Sequence, residues 1–347
     1  MENNMYNESK LKTLVDSLST YEISQLQVFL NERKNSEPVV NLDETRFSHG
    51  LFCPKCGCAE GIIKKGFSTN RKQRYLCRNC SSIFTSTTDS FLFSTKKDVK
   101  VWLKYIECMT RQLSIKKSAE ICGISIRTSF MWRHKILDAL RNSDKTELKG
   151  VIEADEAFFR VSYKGNRGFE FLDRMPRRRG SSMFEKRKRG ASDEQVNVPC
   201  AIERETKSSI SKVGGLAKTS RKIIENVFSN KFKKESILCT DKEASYIKFA
   251  KSYELEHIQF ENFVSKKIIY HIQTINSFHT RLKRFIDQFY GVSTKHLNNY
   301  LIWNSVISEG SSRNSESSII DKTWSRVLRT VGHTLYKDVC SRPSIPV

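Results

Sequence analysis

The sequence predicts a multi-domain α/β protein, and three observations support that prediction. Its 347 residues are too many for one ordinary core, which favours two or three domains. Two short apolar runs end in acidic residues, at 150–155 and 237–241, and helical patterns follow or separate them. Paired cysteines between residues 53 and 80 indicate a small metal-stabilised module ahead of both runs.

The composition is strongly basic. There are 60 Lys plus Arg against 38 Asp plus Glu, a net charge of +22, and such an excess attracts polyanions at long range. Because the charge is clustered and the cysteines are ordered, we expect a nucleic acid as partner rather than a merely soluble basic protein. No apolar stretch approaches the ~18 residues that a membrane span needs, and the acidic, polar start is unlike a signal peptide. A cytoplasmic protein with reduced cysteines is therefore expected.

Residues 1–45 form the first predicted segment, two short amphipathic helices. Ser19 and Glu22 have the spacing of a capping box between these helices. An apolar stripe of this kind is usually a packing face, and a dimer contact is the alternative. A linker at 35–38 follows.

Residues 46–95 are predicted to be a zinc ribbon. Two Cys-x-x-Cys pairs, with twenty residues between them, supply four thiolates for a closed tetrahedral shell, namely Cys53, Cys56, Cys77 and Cys80. Cys58 lies near the first pair and is interpreted as a spare thiol. A module this small has little core, so structural Zn²⁺ binding and folding should be coupled.

Residues 96–147 are predicted to form a helix-turn-helix. Ala119 is small where two helices would cross, Gly123 provides the turn, and Ser125 is a candidate N-cap of a second, basic helix. An ordinary helical hairpin is the alternative. The residues expected to face outward, towards DNA, are Arg127, Thr128 and Arg133.

A segment dense in positive charge follows the first acidic run. Such a segment is most often a solvated loop, but beside a metal site it would bind DNA phosphates. The candidate DNA contacts in it are Arg177, Arg178, Arg179, Lys186, Arg187, Lys188 and Arg189. After it, 196–204 and 209–213 resemble an antiparallel strand pair, and Ser220 to Phe228 resembles a helix.

The two acidic runs predict a catalytic site. Asp155 and Asp241 each end an apolar run, and an ionised side chain at such a position needs a cation or water. If the two strands are neighbours in one sheet, the aspartates converge, as in sites that use two metals for phosphoryl transfer. A later helix has a buried stripe at Ile275, Phe278, Leu282, Phe285 and Phe289, which places Asn276, His279 or Thr280, and Lys283 on an adjoining face.

This order of motifs, from about 46 to 305, resembles bacterial insertion-sequence transposases of the ISXO-like group. The resemblance rests on the zinc ribbon, the helix-turn-helix, the two acidic runs, the segment from His271 through Asn276 to Lys283 and Arg284, and the stretch from Gly291 to Leu301. It implies an RNase H-like mixed sheet with flanking helices over residues 148–310, followed by a C-terminal helical tail over 311–347.

The family carries an Asp, Asp, Glu triad, with Asn or His in the third place in some branches. The resemblance puts these roles on Asp155, Asp241 and Asn276, which would hold Mg²⁺ or Mn²⁺, and makes Lys283 and Arg284 candidate DNA contacts. Strand alternation sends the adjacent Glu156 to the opposite face. The amide of Asn276 can ligate Mg²⁺ but brings no negative charge.

The implied activity is DNA cleavage and strand transfer at the ends of an insertion sequence. The implied partner is double-stranded DNA, namely the element ends and the target. A homodimer or higher oligomer would assemble on this DNA in the cytoplasm, at the bacterial nucleoid. Two alternatives remain at this point: a sequence-specific regulator with the same DNA-binding motifs but no catalysis, and an RNase H-like nuclease without strand transfer.

Overall fold

The computed structural model of the protein describes residues 13, 16–35, 41–165, 194–241, 243–260, 271–311 and 316–346. The chain divides into two units, Met1–Asn41 and Leu42–Val347. In the first, helix α1 spans Thr20–Asn35. Its start carries the expected capping box: the Ser19 N–H donates to the Glu22 carboxylate at 2.8 Å, and the Glu22 N–H donates to Ser19 Oγ at 3.3 Å.

The second unit begins with helix α2, Leu42–Arg46, and an antiparallel ribbon. The ribbon strands are β1, Ile62–Phe67, β2, Gln73–Cys77, and β3, Ile83–Phe84, in that order across the sheet. Tyr75 and Phe84 stack at 5.4 Å and form a small core with Cys53 and Cys77. This core is as limited as the sequence indicated.

Three helices follow the ribbon: α3, Val99–Thr110, α4, Ile115–Cys122, and α5, Ile126–Asn142. The turn between α4 and α5 has the predicted chemistry. Gly123 ends α4 in the left-handed conformation, at φ 59°, and Ser125 Oγ caps α5 by accepting the Thr128 N–H at 3.1 Å. The helix-turn-helix therefore forms where the sequence placed it.

Most of α5 is buried, which the sequence did not indicate. Trp132 stacks on Trp102 of α3 at 3.6 Å, and Arg133 and His134 are fully buried. Ser125, Ile126 and Arg127 at the start of the helix are exposed. Most of α5 therefore packs against other parts of the protein. In the N-terminal half of the helix, only the first turn is exposed to solvent.

A mixed sheet forms the centre of the remaining chain. Its strands are β4, Val151–Arg160, β5, Gln195–Glu203, β6, Ser209–Ser211, β7, Gly215–Leu216, β8, Ile237–Asp241, and β9, Glu256–Phe260. The order is β6-β5-β4-β8-β9, with β7 also paired to β5. The strands β4, β8 and β9 are mutually parallel, and β5 is antiparallel to β4 and β6. The predicted α/β fold with a mixed sheet is confirmed.

Helices cover both faces of this sheet. Helices α6, Arg221–Phe228, and α7, Ala244–Ser252, pack on the face that carries Ile152, Ala154 and Leu238. The opposite face meets helix α8, Gln273–Asp287, whose first turn contacts Glu153 of β4. Helices α9, Leu297–Ser311, α10, Glu316–Arg329, and α11, Tyr336–Cys340, complete the unit. None of the helices described here is both long and apolar enough to cross a bilayer.

One expectation about the strands is wrong. The sequence placed Asp155 at the end of its strand, but β4 continues to Arg160. The reason is that β5 pairs with β4 along its whole length, from Ile152 to Arg160, so the backbone beyond Asp155 stays hydrogen-bonded. Asp155 consequently lies in mid-strand, in a partly buried position.

Candidate active site

Asp155 and Asp241 lie side by side on two parallel strands. The register pairs Glu153 of β4 with Cys239 of β8, and continuing it by two residues sets Asp155 beside Asp241 on the same face. Burial first, and then the negative charge of Asp241, raise the pKa of Asp155 to about 6. The convergence predicted from the two acidic runs is thus present in the sheet.

Glu153 occupies the same face but has a different role. Its carboxylate is fully buried and accepts from the Arg204 guanidinium at 2.7 and 2.8 Å. Its second oxygen accepts the backbone N–H groups of Thr274 and Ile275 at 2.8 and 3.0 Å. An anion at the first turn of a helix satisfies unpaired donors and complements the helix dipole. Glu153 therefore fixes the start of α8 against the sheet, a role that sequence reasoning missed.

Anchored in this way, α8 presents a polar face towards Asp155. His279 is buried, and its Nδ1 lies 3.7 Å from Asp155 Oδ2. Asn276, one turn earlier on the same face, is exposed, as is Lys283 one turn later. Burial and the charge of Lys283 lower the pKa of His279 to about 4, so the imidazole is neutral at pH 7. Of the two candidates for this face, His279 is the one that meets the aspartate.

Three of these side chains carry oxygen donors of the kind that a divalent cation takes, namely Asp155, Asp241 and Asn276. Burial, and then the negative charge of Asp241, raise the pKa of Asp155, and a cation bound between the two carboxylates would offset both effects. The amide oxygen of Asn276 is a neutral donor that Mg²⁺ and Mn²⁺ accept, whereas the His279 nitrogen is not of the oxygen type that Mg²⁺ prefers. His279 Nε2 is buried without a hydrogen-bond partner among the described residues.

Glu156 lies on the opposite face, as alternation requires. Burial is the main cause that raises the pKa of this carboxyl, to about 7. The charges of Asp155 and Asp241 also raise it, whereas Tyr246 lowers it. Its Oε1 atom is buried and has no hydrogen-bond partner in the described part of the chain. Tyr246 belongs to the apolar cluster under α6 and α7, on the face of the sheet that points away from Asp155. Glu156 could therefore bind the same metal ion as Asp155 only if the strand register changed.

The four predicted zinc ligands converge. The ligand atoms of Cys53, Cys56, Cys77 and Cys80 all lie within 4.8 Å of one another. Two of the Sγ–Sγ distances are 3.6 and 3.7 Å, and a tetrahedral Zn²⁺ with bonds of about 2.3 Å requires about 3.8 Å. Cys58 is not in the group, and its Sγ accepts from the Asn79 amide. The cluster therefore fits a structural zinc ion, with Cys58 as the spare thiol.

The candidate DNA contacts have mixed outcomes. Arg133 was expected to face outward, but it is fully buried, donates to the Leu113 carbonyl at 2.7 Å and lies 4.9 Å from the Trp303 ring. That prediction is wrong, because a helix packed between α3, α4 and α9 has no outward side at this position. Arg127 is exposed and its guanidinium lies over Tyr336, while Thr128 is half-buried.

Two further groups of candidate contacts complete this set. Lys283 and Arg284 are exposed on α8. The basic segment with Arg177, Arg178, Arg179, Lys186, Arg187, Lys188 and Arg189 lies outside the described residues.

Two comparisons with known proteins agree with the family resemblance of the sequence motifs. Residues 147–302 match the family model of the ISXO2-like transposase domain. A protein of Halobacterium salinarum, described as an uncharacterized protein in transposable element ISH50, is 26% identical over 141 residues. The alignment covers 40% of this chain and 46% of that relative, so the similarity spans about half the relative's length. The resemblance to insertion-sequence transposases seen in the sequence motifs is confirmed, and Asp155, Asp241 and Asn276 all lie inside the matched domain.

Proposed function

We propose that this chain, whose residues 147–302 form an ISXO2-like transposase domain, is the DNA transposase of an insertion sequence. It would cleave phosphodiester bonds at the element ends and join the freed ends to target DNA. The observation that supports this activity most strongly is the placement of Asp155 beside Asp241 on parallel strands, next to the polar face of α8. A homodimer or higher oligomer on DNA is part of the same proposal.

Asp155, Asp241 and Asn276 would hold the metal ions. When bound, Mg²⁺ or Mn²⁺ ions activate the attacking water or 3′-hydroxyl and neutralise charge on the phosphodiester. Asp155 and Asp241 lie side by side on the sheet, and Asn276 would reach them from α8, where it is exposed one turn before His279. The carboxylates supply negative charge, whereas the amide supplies an oxygen only, so we expect the aspartates to contribute more to metal affinity.

Other side chains position these three residues. Glu153 fixes the first turn of α8, and this turn precedes Asn276 directly. Neutral His279 fills the space beside Asp155 and brings no charge to compete with a metal. Exposed Lys283 on the same face is placed to contact a DNA phosphate.

The buried body of α5 bears on the alternative of a non-catalytic regulator. A reader of base edges needs several side chains of its recognition helix free to enter the major groove. In α5, Arg133 is buried and the exposed positions of its first half lie at its start. A regulator would also have no use for two neighbouring aspartates. We therefore favour the transposase over the regulator.

The test is cleavage of a supercoiled plasmid that carries the complete element, in the presence of Mg²⁺ or Mn²⁺. Asp241→Ala should abolish cleavage and leave DNA binding intact, because it removes one charged metal ligand. Asp287→Ala is the matched control, since that aspartate is exposed at the far end of α8. Cleavage of the DNA without joining would support the nuclease alternative, and normal cleavage by Asp241→Ala would refute the assigned site.

A further inference from the structure

A second cavity lies beside α8, on a different face from the aspartates. Its volume is about 580 Å³, within the usual range for small-molecule sites. It is bounded by α8, α9, the end of β5 with the turn to β6, and Gln112 in the segment between α3 and α4. The lining residues are Gln112, Ile202, Lys207, Phe278, Arg281, Arg284, Phe285, Gln288, Asn304, Ile307 and Ser308.

The floor of the cavity is apolar and partly aromatic. Phe278 and Phe285 are both buried and lie two helical turns apart on α8. Ile202 and Ile307 are also buried and line the same cavity. Such a floor accepts a flat ring, because every nucleobase can stack or pack against aromatic and aliphatic carbon without regard to its identity. The floor alone would suit many ring compounds.

The rim of the cavity is positively charged. Arg281 and Arg284 are exposed and Lys207 is half-buried, and all three line the opening. Within the described ranges, no ion pair joins any of these three cations to a carboxylate. Their charge is therefore available to a ligand, and it selects an anionic one. A phosphate next to the ring would meet this requirement.

A buried amide lines the same cavity. Asn304 is 6% exposed, and its Oδ1 atom has no hydrogen-bond partner among the described residues. An unpaired buried acceptor is costly, so a ligand that donates a hydrogen bond here would relieve the cost. The exocyclic amino groups of adenine, cytosine and guanine are donors of this kind. Compounds with only a ring and a phosphate would leave the amide unpaired.

The cavity and the aspartates share one helix. Asn276 and Lys283 lie on one face of α8, and Arg281 and Arg284 lie on the adjoining exposed face. A DNA strand that passes over the exposed side of α8 can therefore reach both. The cavity does not contain any of the residues assigned to metal binding.

We propose that this cavity holds one unpaired nucleotide of the DNA on which the enzyme acts. Its base would lie on Phe278 and Phe285 and donate to Asn304, and its phosphate would lie between Arg281 and Lys207. This inference rests on the proposed function, because it takes DNA as the substrate. It adds a site that distinguishes distorted DNA from regular duplex.

The test compares two short duplexes of the same sequence, one fully paired and one with a single extra adenine nucleotide in one strand. Binding of the full-length protein is measured by fluorescence anisotropy without divalent metal, so that cleavage does not contribute. Because base stacking on aromatic side chains is worth about 1–3 kcal/mol, we expect the bulged duplex to bind at least about fivefold more tightly.

Arg281→Ala and Asn304→Ala should each remove most of that preference. Arg281 is exposed, so its replacement does not threaten folding, and it keeps the test valid if Asn304→Ala is unstable. Lys248→Ala, which removes an exposed charge from α7, is the control and should keep the preference.

Three outcomes would count against the inference. Equal binding of both duplexes by the unaltered protein, or a preference that survives in Arg281→Ala, would overturn it and leave the proposed function standing. Failure to bind either duplex would refute the proposed function as well.

Discussion

Replacement of Glu153 by Gln tests how the active site is assembled. The substitution keeps the shape of the side chain and removes its charge. In the structure the carboxylate is fully buried and binds the Arg204 guanidinium at 2.7 and 2.8 Å and two backbone N–H groups of α8 at 2.8 and 3.0 Å. Glu153→Gln therefore removes the negative charge that faces the Arg204 guanidinium and weakens the first turn of the helix that carries Asn276 and His279.

The expected magnitude follows from the burial of the pair. Loss of one partner of a buried ion pair costs about 3–5 kcal/mol. The Arg204 side chain is 21% exposed and can recover some hydration, which favours the lower end, about 3 kcal/mol. The matched control is Glu225→Gln, which breaks the exposed pair with Arg221 on α6 and should cost about 0.5 kcal/mol or less.

The assay is urea unfolding of each variant, with cleavage activity measured in parallel. Glu153→Gln should lose both stability and activity, although the residue is not assigned as a metal ligand. The double variant Glu153→Gln with Arg204→Met should recover part of the lost stability, because it no longer contains a largely buried cation that has lost its carboxylate. A cost below about 1 kcal/mol for Glu153→Gln would refute the reasoning, since a surface pair could account for that value.

The remaining predictions concern three other parts of the chain. Cys77→Ser should lose the roughly one zinc per chain measured by metal analysis, whereas Cys58→Ser should keep it; equal zinc in both variants would exclude the four-thiolate site. Arg133→Met should lower thermal stability more than DNA affinity, because Arg133 is buried. Arg127→Ala should instead lower mainly DNA affinity, by about tenfold or less for one lost charge contact. A defect mainly in DNA binding for Arg133→Met would contradict its burial. Burial and the neighbouring Arg342 lower the pKa of His296 from 6.5 to about 3, so the unfolded chain binds a proton that the folded chain does not between these values. Stability should therefore fall as the pH drops below about 6.5, and His296→Gln should flatten that slope by about 1.4 kcal/mol per pH unit in urea unfolding; an unchanged slope would show that His296 is not buried in its neutral form.

Local signals in the sequence predicted the elements that local chemistry determines. Gly123 and Ser125 set the turn before α5, because a turn depends on residues a few positions apart. The metal cluster was predicted because each Cys-x-x-Cys pair is a local signal and two such pairs make up one four-thiolate shell. The two aspartates were found because apolar runs that end in acids are uncommon.

Long-range packing accounts for what the sequence did not predict. Arg133 appears on a basic helix and was placed outward, but its burial depends on α9 and on Trp303, 170 positions later. The anchoring role of Glu153 was not predicted, because its partners Arg204, Thr274 and Ile275 are far along the chain. The continuation of β4 past Asp155 likewise depends on β5. Periodicity within one segment carries no information about these contacts.

Mn²⁺ titration of the full-length protein, followed by electron paramagnetic resonance, tests whether Asp155, Asp241 and Asn276 form one metal site. The unaltered protein should bind Mn²⁺ at pH 7.5, above the pKa of about 6 for Asp155. Asp155→Asn, which preserves shape and removes one charge, should abolish this binding, and Asn276→Glu should strengthen it by adding a carboxylate. Unchanged Mn²⁺ affinity in Asp155→Asn, or weaker binding in Asn276→Glu, would contradict the assignment of these residues as one site.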